Sequence, residues 1–167
     1  MDNQAFIDGQ NLHLGTTTSR PAWKIDLIRF RNYLTRKYSV DKAYYFMGTV
    51  DDSQTEMYNH IQEAGYILAF RTHNPKMASI KKGNVDTDVV FTIMRKLYKK
   101  ELKGKVILVS GDGDYFKMVD FLISEEKFEK ILFPAHGKAS SLYRNLAPNY
   151  FDYLDNPDLK KKIAYQR

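Results

Sequence analysis

Four aspartates in this sequence stand where side chains could do chemistry: Asp8, Asp86, Asp112 and Asp114. Asp8 follows the apolar run Ala5-Phe6-Ile7 and precedes Gly9, where a strand would break. Asp112 and Asp114 lie in Ser110-Gly111-Asp112-Gly113-Asp114, directly after a run that reads as a buried strand. Asp86 opens a pattern with Val89, Ile93 and Leu97 on one helical face. Carboxylates gathered in one crevice repel and raise one another's pKa values, so a fold tolerates them best around a cation. Mg²⁺ and Mn²⁺ are hard ions that prefer carboxylate and water oxygens. One or two such ions can acidify a bound water and clamp a scissile phosphate. Plainer roles compete at each position: a turn at Asp8-Gly9, a turn residue and a helix N-cap at Asp112 and Asp114. Asp86 and Asp88 lie two apart and cannot share a helix face, so one of them caps or supports.

The elements that must position these acids alternate along the chain. Strands are predicted at Ala5–Ile7, Val40–Met47, Tyr66–Arg71, Lys105–Ser110 and Lys130–Pro134, with a short apolar segment at Tyr150–Leu154. Between them, Asp26 caps a helix bearing Leu27, Phe30 and Leu34. Ser53 and Glu56 form a capping box ahead of Met57, Ile61 and Ala64. Further helices carry Val89, Ile93 and Leu97, then Met118, Val119 and Leu122, and a last one spans Ser141 to Leu146. Residues 72–84 read as an exposed polar loop, and the segment after Pro157 as a charged tail. Alternation of this kind means an α/β domain, with a mainly parallel sheet of five to six strands and helices on both faces. In such sheets ligands bind beyond the carboxyl ends of the strands, where the strand order reverses. Asp8, Asp112 and Asp114 converge there if the first and fourth strands are neighbours.

Composition narrows the classes. The 167 residues suit one domain, expected over residues 1–156 with a tail at 157–167. No cysteine is present, which excludes disulfides, thiolate metal ligands and a cysteine nucleophile. No run is long enough to span a membrane, and the first residues lack a signal-peptide pattern, so a cytoplasmic protein is expected. The formal charge of +6, from 26 basic and 20 acidic residues, favours a polyanionic partner. Basic residues crowd at Arg95-Lys96, Lys99 to Lys105 and Lys160 to Lys162, each readable as a solvated face. Neither a phosphate-binding Gly-Lys-Ser/Thr loop nor a Gly-x-Gly-x-x-Gly turn occurs. Asp8 also lacks the second acid two residues on that an aspartyl phosphohydrolase would use, since Gln10 stands there.

Three motifs resemble, in order, those of the NYN domain family, within the larger group of PIN-like nucleases. Phe6-Ile7-Asp8-Gly9-Gln10-Asn11 is similar to its opening strand and Asp-Gly-x-Asn turn. Lys82-Gly83-Asn84-Val85-Asp86 is similar to its Lys-Gly lead into a helix, and Val109-Ser110-Gly111-Asp112-Gly113-Asp114-Tyr115 to its Ser-Gly-Asp-x-Asp-Phe turn. A closing match runs from Ser141-Leu142 to Phe151-Asp152-Tyr153-Leu154. The resemblance implies a Rossmann-like PIN-type fold and metal-dependent cleavage of RNA. It makes Asp8, Asp86, Asp112 and Asp114 the acidic centre for one or two Mg²⁺ or Mn²⁺ ions, with Asn11, Asp88 and Ser110 in support. Asp8 and Asp112 would hold the principal ion. Thr92 stands where many members carry a further acid, Gly113 where a serine is common, and Tyr115 replaces the phenylalanine.

Lys82, Ser140 and Ser141 are the candidate phosphate contacts, although helix capping is the competing role for the two serines. His13 is a candidate for the cleft wall. DNA remains open as a substrate, and so does the choice between monomer and homodimer. The rival reading is an RNA-binding or regulatory protein that keeps the fold without catalysis. Retention of all four acids argues against it, because pure binding of a polyanion gains from losing negative charge.

Overall fold

A computed structural model describes residues 2–48, 50–71 and 85–166. Six strands form one parallel sheet: β1 (Asn3–Asp8), β2 (Val40–Met47), β3 (Ile67–Phe70), β4 (Val106–Val109), β5 (Phe128–Phe133) and β6 (Phe151–Tyr153). Their order is β3-β2-β1-β4-β5-β6. The chain builds outward from β1 through β2 to β3, then returns to the other side of β1 and continues through β4. The switch point therefore lies between β1 and β4, which pair with Ile7 opposite Val109. Lys82 lies outside the described residues, as does the predicted loop at 72–84.

Period-two alternation divides the core between the two sheet faces. Ala5, Ile7, Ala43, Tyr45, Ile107 and Val109 pack beneath α1 (Gly9–Thr17), α2 (Leu27–Tyr38), α3 (Thr55–Glu63) and α6 (Pro157–Ile163). Phe6, Phe46, Leu108 and Ile131 pack beneath α4 (Val85–Tyr98) and α5 (Phe116–Ser124). β4 reads Val-Ile-Leu-Val and is buried throughout, as a central strand covered on both faces must be. α2 follows from its spacing: Phe30, Leu34 and Tyr38 are buried, and the Asp26 carboxylate accepts the free N–H groups of Ile28 and Arg29.

The local expectations fail in four places. α1 carries no strong apolar stripe, and its register is fixed by close approach instead. A Cβ on Gly9 would lie 2.7 Å from the Phe46 carbonyl oxygen, so only glycine lets the helix start against the sheet edge. The Ser53–Glu56 capping box does not form. Asp51 accepts both the N–H and the hydroxyl of Ser53, at 3.0 and 2.7 Å, and α3 begins only at Thr55. A carboxylate there is a stronger acceptor than the serine hydroxyl. The helix expected from Ser141 to Leu146 is a single 3₁₀ turn, Ser141–Tyr143.

The charged tail is the fourth. Residues 157–163 form α6, Leu159 and Ile163 are buried in the α2 core, and Asp26 donates its N–H to the Ile163 carbonyl at 2.8 Å. Two apolar residues four apart suffice to dock a helix whose remaining side chains are mostly charged. Among the described residues no helix is long and apolar enough to cross a membrane. Ile163→Ala should cost about 2–4 kcal/mol in urea unfolding, as burial in a packed core requires. A frayed tail would instead give a change within about 0.5 kcal/mol.

Candidate metal centre

Asp8 ends β1, and its side chain takes the α4 and α5 face of the sheet with Phe6. It is also the N-cap of α1, accepting the Asn11 N–H on Oδ1 at 3.1 Å. Its Oδ2 accepts the Tyr115 hydroxyl at 2.9 Å. Tyr115 is fully buried, so this hydrogen bond is formed away from solvent. Both carboxylate oxygens of Asp8 are thereby engaged, and the residue itself is buried.

The turn after β4 is pinned from several directions. Asn11 Oδ1 accepts the Gly111 N–H at 2.8 Å, which ties α1 to this turn across the switch point. The buried Ser110 hydroxyl accepts the Asp112 N–H at 3.1 Å, and Asp112 accepts the Asp114 N–H at 2.9 Å. Tyr143 donates its hydroxyl to the Asp112 carbonyl, while Ser140 donates its N–H to the Gly111 carbonyl at 2.9 Å. Gly113 is required here, because a Cβ would press against the Ser140 hydroxyl. A serine in its place would collide with the loop that holds the turn.

Asp86 enters from the first turn of α4 and completes the cluster. Carboxylate oxygens of Asp86, Asp112 and Asp114 all lie within 4.8 Å of one another. That separation is about twice a metal–oxygen distance of roughly 2.0–2.6 Å, so one hard cation can reach all three. The donor set is entirely oxygen, which suits Mg²⁺ or Mn²⁺ and not a thiophilic ion. Asp8, Gln10, Asn11, Leu14, Val85, Asp86 and Asp112 line the adjoining cleft, whose volume is about 180 Å³.

Asp8 was expected to share the principal ion with Asp112. The close group of three is Asp86, Asp112 and Asp114, while Asp8 lines the same cleft as Asp86 and Asp112 with its Oδ2 bonded to the Tyr115 hydroxyl. A phenylalanine has no such hydroxyl, and the only signal for this bond in the sequence is the place of Tyr115 directly after the last acid. Asp88 does not join the cluster, and its Oδ2 is buried without a hydrogen-bond partner among the described residues. Ser140 accepts the Leu142 N–H and caps the 3₁₀ turn, Ser141 is exposed, and neither lines the cleft. Leu14, not His13, forms the cleft wall.

The electrostatics match a site built for a cation. Burial raises the Asp8 carboxyl above its usual range, opposed by the Asn11 N–H and the Tyr115 hydroxyl, while Asp112 and Asp86 push it further up. The Asp114 carboxyl is also raised, first by a hydrogen bond with Asp86 and then by its charge. Tyr115 and Tyr143 are driven above the ordinary phenol range by burial and by the neighbouring aspartates, so both remain donors.

A family model described as the NYN domain matches residues 4–155, nearly the whole chain. A crystal structure of a protein of unknown function from Vibrio parahaemolyticus shares the fold with a TM-score of 0.78, at 17% identity, over 98% of this chain and 96% of that one. No curated protein matches.

Because Asp8 and Asp114 have raised folded-state pKa values, the native state binds their protons more tightly than the unfolded chain does. Their contribution to stability is greatest below the unfolded value of about 3.8 and is lost as pH rises through the folded values. In chelator, Asp114→Asn should therefore gain thermal stability relative to wild type as pH rises from 4 to 7. Adding Mn²⁺ at pH 7 should reverse that order, with wild type gaining more. Melting curves in both conditions check it.

Proposed function

We propose that this chain, which belongs to the NYN domain family, hydrolyses RNA phosphodiester bonds with a divalent cation held by Asp86, Asp112 and Asp114. Membership places the chain among PIN-like nucleases, and the convergence of three carboxylates beside the switch point carries the reading. Mg²⁺ or Mn²⁺ in that position supplies an acidified water and neutralises charge at the scissile phosphate. The protein's own residues do the rest. Asp8 is held by Asn11 and Tyr115, and its raised proton affinity suits it to accept a proton from the attacking water. Asn11 and Ser110 hold the backbone of the acidic turn and so position Asp112. The cleft is small and opens beside Asp86 and Asp112, which suits a phosphate group and leaves the bases outside. RNA is preferred over DNA on family resemblance.

A protein that only bound nucleic acid would be helped by losing the three carboxylates. The raised carboxyls of Asp8, by burial first, and of Asp114, by Asp86, are a cost of the gathering that supports this reading.

Cleavage of a labelled single-stranded RNA in Mn²⁺ tests the proposal. Asp112→Asn and Asp86→Asn should each lose activity by at least about 10²-fold with the fold intact by circular dichroism. Asp8→Asn should lose roughly 10²–10⁴-fold, the range of a positioned acid–base group. Cleavage that persists unchanged in Asp86→Asn and Asp112→Asn would contradict it.

A further inference from the structure

A second cleft lies on the opposite side of the sheet from α4 and α5, between α2 and α6. It is lined by Arg29, Asn32, Tyr33, Arg36, Lys37 and Lys162, with a volume of about 560 Å³. Four of the six side chains are cations and none is an acid. Among the described residues, only Arg29 of these four has a carboxylate partner, Asp26 at 3.8 Å in an exposed pair. Asp152, the acid near Tyr33, already accepts the Tyr153 N–H and the Asn156 amide at 2.8 and 2.7 Å. Four cations converging on one cleft, with one ion pair among them in the described residues, mark a surface shaped for an anion.

The spacing says which anion. Arg29, then Asn32 and Tyr33, then Arg36 and Lys37 place hydrogen-bond donors on successive turns of α2, about 5.4 Å apart along the axis. A ladder of three rungs suits a run of phosphates better than one isolated phosphate. Two guanidinium groups suit phosphate oxygens because each offers a planar fork of donors. Lys162 faces this ladder from a helix that Leu159 and Ile163 anchor in the core, so the far wall is built and not a fraying tail. The half-buried Tyr33 provides an aromatic surface between the cations.

We propose that the α2–α6 cleft is a backbone-binding site for single-stranded RNA, separate from the acidic centre, that holds the strand through its phosphates. It rests on the nuclease reading for the identity of the polymer. Phosphate contacts carry little sequence information, so the site would raise affinity without selecting a sequence.

Binding of a fluorescein-labelled 12-nucleotide RNA, measured by anisotropy in chelator across a range of salt, tests this without requiring cleavage. The triple variant R36Q/K37Q/K162Q should lower the slope of log K against log salt by about 2, since each lost contact to a single strand contributes about 0.7. Affinity at low salt should fall by roughly 10-fold or more. The control triple K99Q/K100Q/K103Q, also of exposed lysines, should leave the slope nearly unchanged. Equal slopes for wild type and the cleft variant, with Mn²⁺-dependent cleavage retained in wild type, would overturn the cleft assignment alone. Wild type that neither binds nor cleaves RNA would overturn both readings. A third arm uses inorganic tripolyphosphate. If the cleft variant loses tripolyphosphate binding but keeps RNA binding, the site serves a free phosphate compound and the proposal fails.

Discussion

Repulsion among carboxylates is the constraint on which this structure turns. Asp8, Asp86 and Asp112 line one small cleft, and Asp114 stands beside it within reach of Asp86 and Asp112. The local chain brings together only Asp112 and Asp114, in one turn. Topology adds Asp8, because the strand order reverses between β1 and β4 and delivers the ends of both strands to one place, and the start of α4 adds Asp86. The surrounding hydrogen bonds hold the acids against their mutual repulsion. Asn11 links the α1 side to the Gly111 turn, Ser110 and Tyr143 fix the backbone of Asp112, and Tyr115 ties Asp8. Most of these bonds engage backbone groups of the turn, so the acids are positioned by a rigid frame and not by their own attraction.

Tyr115 makes the environments of the acids unequal. Its buried hydroxyl engages Asp8 Oδ2, while carboxylate oxygens of Asp86, Asp112 and Asp114 lie close enough to share one cation. Asp8 and Asp114 both have raised carboxyls for different reasons, burial first at Asp8 and the hydrogen bond with Asp86 first at Asp114.

Much of this was legible in the residues. The alternation of Val40–Met47, Lys105–Ser110 and Lys130–Pro134 with amphipathic helices gave a parallel α/β sheet, and strand-end placement brought Asp8 and Asp112 to one edge. The glycine-flanked acids after β4 stood out because two carboxylates so close are rare as simple punctuation. What escaped was whatever depends on contacts distant in sequence. α1 was invisible because its packing rests on small residues approaching the sheet, not on an apolar stripe. α6 read as a tail because two apolar residues among lysines carry little periodic signal. The Tyr115 to Asp8 bond joins residues 107 positions apart, and no local pattern announces it. Asp86 rested mainly on motif similarity, and its place in the cluster depends on how α4 is set against β1.

The central claim is that one cation is held by Asp86, Asp112 and Asp114, with Asp8 kept in its bond to Tyr115. Anomalous diffraction from crystals soaked in Mn²⁺ tests this most directly. The account predicts a single strong peak within about 2.5 Å of oxygens from all three residues, with the Tyr115 hydroxyl still bonded to Asp8. A peak between Asp8 and Asp112 with that bond broken, or no peak at saturating Mn²⁺, would contradict it.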